Sequence, residues 1–287
     1  MNDTPTRPRF GPGGNCEAFH QKYGARTVLA PAWVVENGLD AYEYEAGRGL
    51  AASPDTLSAI GREAARLGVA LSFHAPYFIS LSGVEADKRQ RSVSYISESL
   101  EAAALLGARI IVVHCGSAGR IDRAEAMRLA ADTLSTCLTQ LPDNGVLIGV
   151  ETMGKINQLG TLEEVIRLCR LDPSRLTPVV DFGHLNARTL GTAFPDRDAY
   201  ARVFEQVAQL GDEHARRLHC HFSRIEYTAG GEKRHVTFAD TQWGPEPEPL
   251  MRAVRDLGVS PTFICESAGT QTADAAALSR AYAEASD

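Results

Sequence analysis

The sequence has no C-x-x-C pair, no long apolar run and no excess of positive charge, and each absence excludes a class of protein. Its six cysteines, at positions 16, 115, 137, 169, 220 and 265, are scattered through 287 residues. That pattern argues against a disulfide frame and against a thiolate-ligated structural zinc, and reads as reduced thiols. No segment approaches the ~18 uninterrupted apolar residues a membrane span needs. The opening MNDTPTRPRF lacks the apolar stretch of a secretory signal, so the expected location is cytoplasmic, with no membrane partner. With 36 Asp+Glu against 29 Lys+Arg the formal net charge is −7. This excludes a protein that grips nucleic acid by bulk positive charge over its whole surface. Low-complexity tracts and coiled-coil heptads are absent too.

What is present is the composition of an ordinary globular protein, 44% hydrophobic and 23% charged, with a repeating order of elements. Short β-branched or aromatic runs are expected as strands near Arg9–Gly11, Ala41–Glu45, Val69–His74, Arg109–His114, Val146–Glu151, Thr177–Asp181, Leu218–Phe222 and Thr262–Glu266. Amphipathic stretches between them predict helices at Asp55–Leu67, Ser92–Leu106, Arg123–Leu138, Leu162–Leu171, Arg197–Leu210, Glu248–Leu257 and Ala273–Ala283. Leu67-Gly68, Leu106-Gly107 and Leu257-Gly258 read as helix ends, because glycine takes the left-handed conformation there without steric cost. Ser53-Pro54 and the Thr161/Glu164 pair read as helix starts. Eight β-then-α units without a linker predict an α/β protein of one domain over residues 1–287, a (β/α)8 TIM barrel, with residues 1–8 a disordered or irregular tail. A doubly wound sheet competes, but Gly11-Pro12-Gly13-Gly14 lacks the spacing of a dinucleotide-binding turn.

The last residues of strands three to eight are His74, His114, Glu151, Asp181, His219 with His221, and Glu266, and His184 and His235 lie in following loops. In a barrel the C-terminal strand ends converge on one rim, so these distant residues would share one pocket. A lone strand-end His or carboxylate is more often a hydrogen-bonded structural group. Six strands in succession ending this way would carry a large desolvation and repulsion cost that bound divalent cations relieve. The mixed N/O set suits ions such as Zn²⁺ or Mn²⁺. Cys115, Cys220 and Cys265 adjoin these residues, and strand alternation turns them outward beneath the helices. His20, in a helical pattern, and His214, in a loop, read as solvent-side residues. His219 and His221 share a strand face, and either could be the ligand.

Taken in order, H-A-P-Y, H-x-G-S, E-T, D-x-x-H, H-x-x-x-S and E-S resemble endonuclease IV, the metal-dependent apurinic/apyrimidinic endonuclease family, from about Phe10 to Ala283. The resemblance implies a zinc cluster of two or three ions that hydrolyses duplex DNA 5′ to an abasic site in base-excision repair, with no protein partner. It implies one ion held by His74, His114 and Glu151, and a second by Glu151, Asp181, His219 and Glu266. A third would lie at His184 and His235. Glu151 and Glu266 would orient the nucleophile, while Arg48, Tyr77 and Arg234 would meet the DNA. Lys155, Arg188, Arg224 and Lys233 are further candidate rim cations. This chain departs from the family's Asp-Arg-His triplet at Lys233-Arg234-His235, which predicts a weakened third site. Pro12 after Gly11 and His221-Phe222 depart as well. The rival enzyme class is a sugar isomerase or epimerase of the related xylose-isomerase-like barrels, holding a single metal with Glu151, Asp181, His219 and Glu266. A non-catalytic binding barrel is the third alternative.

Overall fold

The computed structural model describes residues 7–285. Among the described residues ten strands form: β1 (Arg9–Pro12), β2 (Ala41–Glu45), β3 (Ala70–His74), β4 (Ile110–His114), β5 (Leu147–Glu151), β6 (Leu176–Asp181), β7 (His219–Phe222), β8 (Arg224–Thr228), β9 (Gly231–Val236) and β10 (Thr262–Cys265). Eight of them make one sheet in the order β1-β10-β7-β6-β5-β4-β3-β2. A parallel bridge between Gly13 and Glu43 brings its two edges together, giving the expected (β/α)8 barrel. These eight strands match the sequence expectation within one residue at either end. The antiparallel β8–β9 hairpin stands outside the barrel sheet and has no counterpart in that expectation.

Local chemistry accounts for the helix boundaries. Gly68, Gly107 and Gly258 end their helices in the left-handed conformation. Ser53 accepts from the Thr56 amide, and Thr161 and Glu164 form a full capping box. The long helix before β4 begins at Ala86 rather than Ser92, and the one after it reaches Gln140. Helices Ala30–Glu36, Phe182–Arg188 and Asp212–Arg216 are additional, being too short to show a period in the sequence. The last of them corrects the reading of His214: it lies on a helix, half-buried, with Nδ1 3.0 Å from Thr177 Oγ1. His20 is on a helix and exposed, as expected. Of the anticipated N-terminal tail, residues 1–6 lie outside the described residues, and Arg7 pairs with Asp40 at 2.8 Å.

The main core lies between sheet and helices, where outward-facing Phe73, Ile111, Val113, Val180 and Phe222 are buried. All six cysteines are buried and free, with Cys115, Cys220 and Cys265 in this layer. Inside the barrel one side is apolar, with Ile110, Val112 and Val179 packed together. Gly149 makes room for them: a Cβ there would lie 2.5 Å from Val179 Cγ2 and 2.8 Å from Ile110 Cδ1. The other side of the barrel holds buried Glu43, Ser72 and His219. No helix among the described residues is long and apolar enough to cross a membrane.

Candidate metal centre

The centre is organised by strand register. His114 lies beside Glu151, Asp181 beside His221, and Glu45 beside His74. With alternation, these put one ring of polar side chains at the C-terminal mouth. Glu151 sits at its middle, fully buried. Its Oε2 is 3.1 Å from His114 Nε2 and 3.7 Å from His74 Nε2, and its Oε1 is 3.0 Å from His221 Nδ1 and 3.5 Å from His184 Nδ1. His74, Glu151 and His221 form one group with ligand atoms close enough to share an ion, and Glu151, Asp181, His221 and Glu266 form another.

The structure separates His219 from His221. The register puts His219 level with Val179, one layer deeper than Asp181 and His221. There its Nε2 meets Glu43 Oε2 at 2.8 Å, while His221 Nδ1 reaches Glu266 Oε1 at 3.4 Å. It is therefore His221 that joins Glu151, Asp181 and Glu266 at the mouth. His219 groups instead with Glu43 and His221.

A third group lies where the hairpin folds over the mouth. His184 and His235 stack edge-on with centroids 5.3 Å apart, and Glu232 joins them. Glu232 Oε2 is 3.5 Å from His184 Nε2. The carboxylate that seemed missing at Lys233 is thus supplied one residue earlier. Lys233 itself turns away to pair with Glu226 at 2.6 Å. Glu43, Glu45 and Glu232 are the site residues that sequence reasoning missed. The i, i+2 acids in Ala41-Tyr42-Glu43-Tyr44-Glu45 were the available signal for the first two, since alternation turns both inward.

Electrostatics fit a cation. Glu151 Oε2 and Asp181 Oδ2 are buried without a hydrogen bond of good geometry, an arrangement that costs free energy unless something positive occupies the space between them. Burial, with Glu151 and Asp181 adding repulsion against the opposing His221 charge, pushes the Glu266 carboxyl up to about 8. Burial opposes ionisation of Glu151, but His114, His184 and His221 hold its carboxyl well below the ordinary range. Burial lowers His114 and His235, whereas at His74, His184 and His221 the surrounding carboxylates outweigh burial and raise the imidazoles, His74 to about 10, so that a bound ion would displace protons there. The donor set of imidazoles and carboxylates therefore fits two or three divalent ions of the zinc or manganese type.

The mouth opens into a cavity of about 510 Å³ whose lining includes Glu45, Tyr77, Lys155 and Glu266. Among the described residues, Lys155 is the one Lys or Arg in that lining. Tyr77 is 54% exposed, edge-on to the exposed Phe78. Its amide donates to Gly47 O, tying the loop that carries exposed Arg48 to the mouth. The other expected rim cations are committed elsewhere. Arg188 donates to the carbonyls of Met153, Lys155, Ile156 and Gln158, Arg224 is buried against Glu246, and Arg234 pairs with Glu226.

Comparison with known proteins yields both enzyme types weighed above. An uncharacterized protein of Methanocaldococcus jannaschii is 29% identical over 75% of this chain and 78% of its own length. A probable endonuclease 4 of Acholeplasma laidlawii is 28% identical over 48% of each chain, so this chain spans about half the length of that relative. Among solved structures, a D-tagatose 3-epimerase-like protein superposes with a TM-score of 0.72 at 20% identity, covering 96% of this chain and 97% of the other. Endonuclease IV from Thermus thermophilus gives 0.68 at 22%, covering 97% and 98%. At these identities the likeness shows the fold. The family match covers residues 31–284, and the chain belongs to the xylose isomerase-like TIM barrel family.

Proposed function

We propose that this protein is a metal-dependent phosphodiesterase of the endonuclease IV kind, incising duplex DNA 5′ to abasic sites. The observation that carries the reading is the number of ligand groups at the mouth. Beyond Glu151, Asp181, His221 and Glu266, the site adds His74 and His114 on one side and His184, Glu232 and His235 on the other. Divalent ions bound there would supply the positive charge that lowers the pKa of water and stabilises both attacking and leaving oxygens in an in-line displacement. Glu151 and Glu266 would accept hydrogen bonds from that water and orient it. Lys155 faces the cavity where a phosphate oxygen would approach, and exposed Tyr77 beside it offers an aromatic face to the gap left by a missing base. With the mouth this acidic, DNA affinity depends on loading the ions, which accommodates the net charge of −7.

A second reading has its own support. Glu151, Asp181, His221 and Glu266 suffice to hold one ion, and the two glutamates could then exchange a proton beside a sugar carbonyl, as in an epimerase. The deciding experiment is a nicking assay on duplex DNA with one abasic site, using wild type and Glu266→Gln, with ions counted per chain. Incision by wild type and its loss in the variant are expected. A folded protein with two or three ions that leaves abasic DNA intact would refute the nuclease reading. One ion per chain with ketose epimerisation would establish the rival.

A further inference from the structure

We infer that Glu43 is a positioning residue that fixes the ring and tautomer of His221, so that Nδ1 is the nitrogen offered to an ion at the mouth. The inference rests on the reading of the mouth as a metal centre and on four observations. His221 is fully buried, with Nδ1 3.0 Å from Glu151 Oε1 and 3.4 Å from Glu266 Oε1, whereas its Nε2 points the other way, 2.9 Å from Glu43 Oε1. Glu43 is fully buried one layer below the mouth, and its other oxygen is held by His219 Nε2 at 2.8 Å. The Gly13–Glu43 bridge fixes the Glu43 backbone at the barrel seam. His221 Nε2 and Glu43 Oε1 are both buried without a hydrogen bond of good geometry, and they face each other 2.9 Å apart.

A neutral imidazole that ligates through Nδ1 must carry its proton on Nε2, and a buried N–H needs an acceptor. Glu43 supplies it, in the way carboxylates commonly orient metal-bound histidines. Glu43, His219 and His221 could instead be ligands of an extra buried ion. The closure of that group argues against it: none of Glu43, His219 and His221 lines the cavity at the mouth, whereas His74, His114, Glu151 and Glu266 do. His219 then serves to hold the second oxygen of Glu43, which explains a histidine two residues before a ligand and on the same strand face.

The test titrates Zn²⁺ or Mn²⁺ into wild type, Glu43→Leu, Glu43→Gln and His219→Leu against a chromophoric chelator, with folding checked by circular dichroism. Glu43→Leu should weaken one ion about 10- to 100-fold, leaving the others in place. Glu43→Gln, which keeps an acceptor oxygen, should recover much of that loss. His219→Leu should retain the full ion count. Nitrogen-15 NMR of the zinc-loaded wild type, which needs no variant to fold, should show His221 protonated at Nε2. Wild-type affinity in a folded Glu43→Leu protein, or a His221 protonated at Nδ1, overturns the inference. So does an additional ion lost in both Glu43→Leu and His219→Leu. These readouts count ions and locate a proton, so a failure to cut DNA would refute the proposed activity without touching them.

Discussion

Glu232 and His235 face the same side of β9 although they lie three positions apart. Strand alternation would send them to opposite faces. The pairing explains the exception: Glu226 lies opposite Arg234 and Tyr227 opposite Glu232, so Lys233 is the extra residue of a β-bulge. The bulge shifts the phase by one, and both side chains meet His184. Glu232→Gln should therefore remove one ion per chain, counted by atomic emission after gel filtration. Lys233→Asp should not strengthen binding, since Lys233 faces Glu226. A rise in ion count with Lys233→Asp would show the carboxylate assignment to be misplaced.

Glu151 belongs to two of the candidate ion-binding groups and also contacts His184 of the third, so its loss should be felt beyond one ion. Glu151→Gln keeps the size but removes the charge facing His74, His114, His184 and His221. The expected result is loss of at least two ions and of any hydrolytic activity, with the barrel intact by circular dichroism. A variant that loses a single ion would mean that Glu151 does not bridge.

Glu164 offers a pH test away from the ligands. Burial would raise its carboxyl, but hydrogen bonds from Arg123 and from the Thr161 and Gly160 amides, at 2.8, 3.0 and 2.9 Å, hold it below the ordinary 4.5. A depressed carboxyl stabilises the fold above its unfolded pKa and loses that contribution as pH falls through the folded value. Glu164→Gln should cost about 1–2 kcal/mol at pH 7, at the lower end for charged hydrogen bonds because Arg123 is partly exposed. In urea melts the gap to wild type should shrink at acid pH, below the ordinary carboxylate range. A gap constant down to pH 3 would contradict the assignment.

Arg188 staples the segment from Met153 to Gln158 that forms one wall of the mouth. Its four donated hydrogen bonds end on backbone carbonyls, of which Ile156 and Gln158 also accept from Arg123 and Lys155 from the Gln158 amide. Arg188→Met should destabilise by about 2–3 kcal/mol and speed amide exchange in that segment before the rest of the barrel. Unchanged exchange there would mean the loop holds itself.

Gly11→Ala tests the barrel seam. A Cβ at Gly11 would fall 1.7 Å from Ala41 O, a backbone atom that cannot rotate away. The loss should exceed the ~1–3 kcal/mol of ordinary overpacking and appear as a large drop in melting temperature or as insoluble protein. A melting temperature within a few degrees of wild type would show that β1 can move away from β2.

The barrel strands were legible because each is a short apolar or β-branched run followed by a helix with a marked start or stop, and most of the candidate ligands lie at strand ends. What was not legible was depth. His219 and His221 are equivalent in alternation, and only the stagger that sets Asp181 against His221 decides which reaches the mouth. Lys233 misled for a related reason: a bulge changes phase without leaving a mark in a run as charged as Glu232-Lys233-Arg234-His235. Ile225 and Tyr227 in β8 alternate with charges too briefly to announce a hairpin.

The hairpin carrying Glu232 and His235 adds no strand to the eight-strand ring and is joined to the mouth by an antiparallel bridge between Gly231 and Lys155. Substitutions at the exposed positions of β8 and β9 can therefore accumulate over descent while the scaffold and the cluster of Glu151, Asp181, His221 and Glu266 stay intact. A barrel built in this way could gain or lose the outermost of its proposed ions by changing a few residues of one appendage.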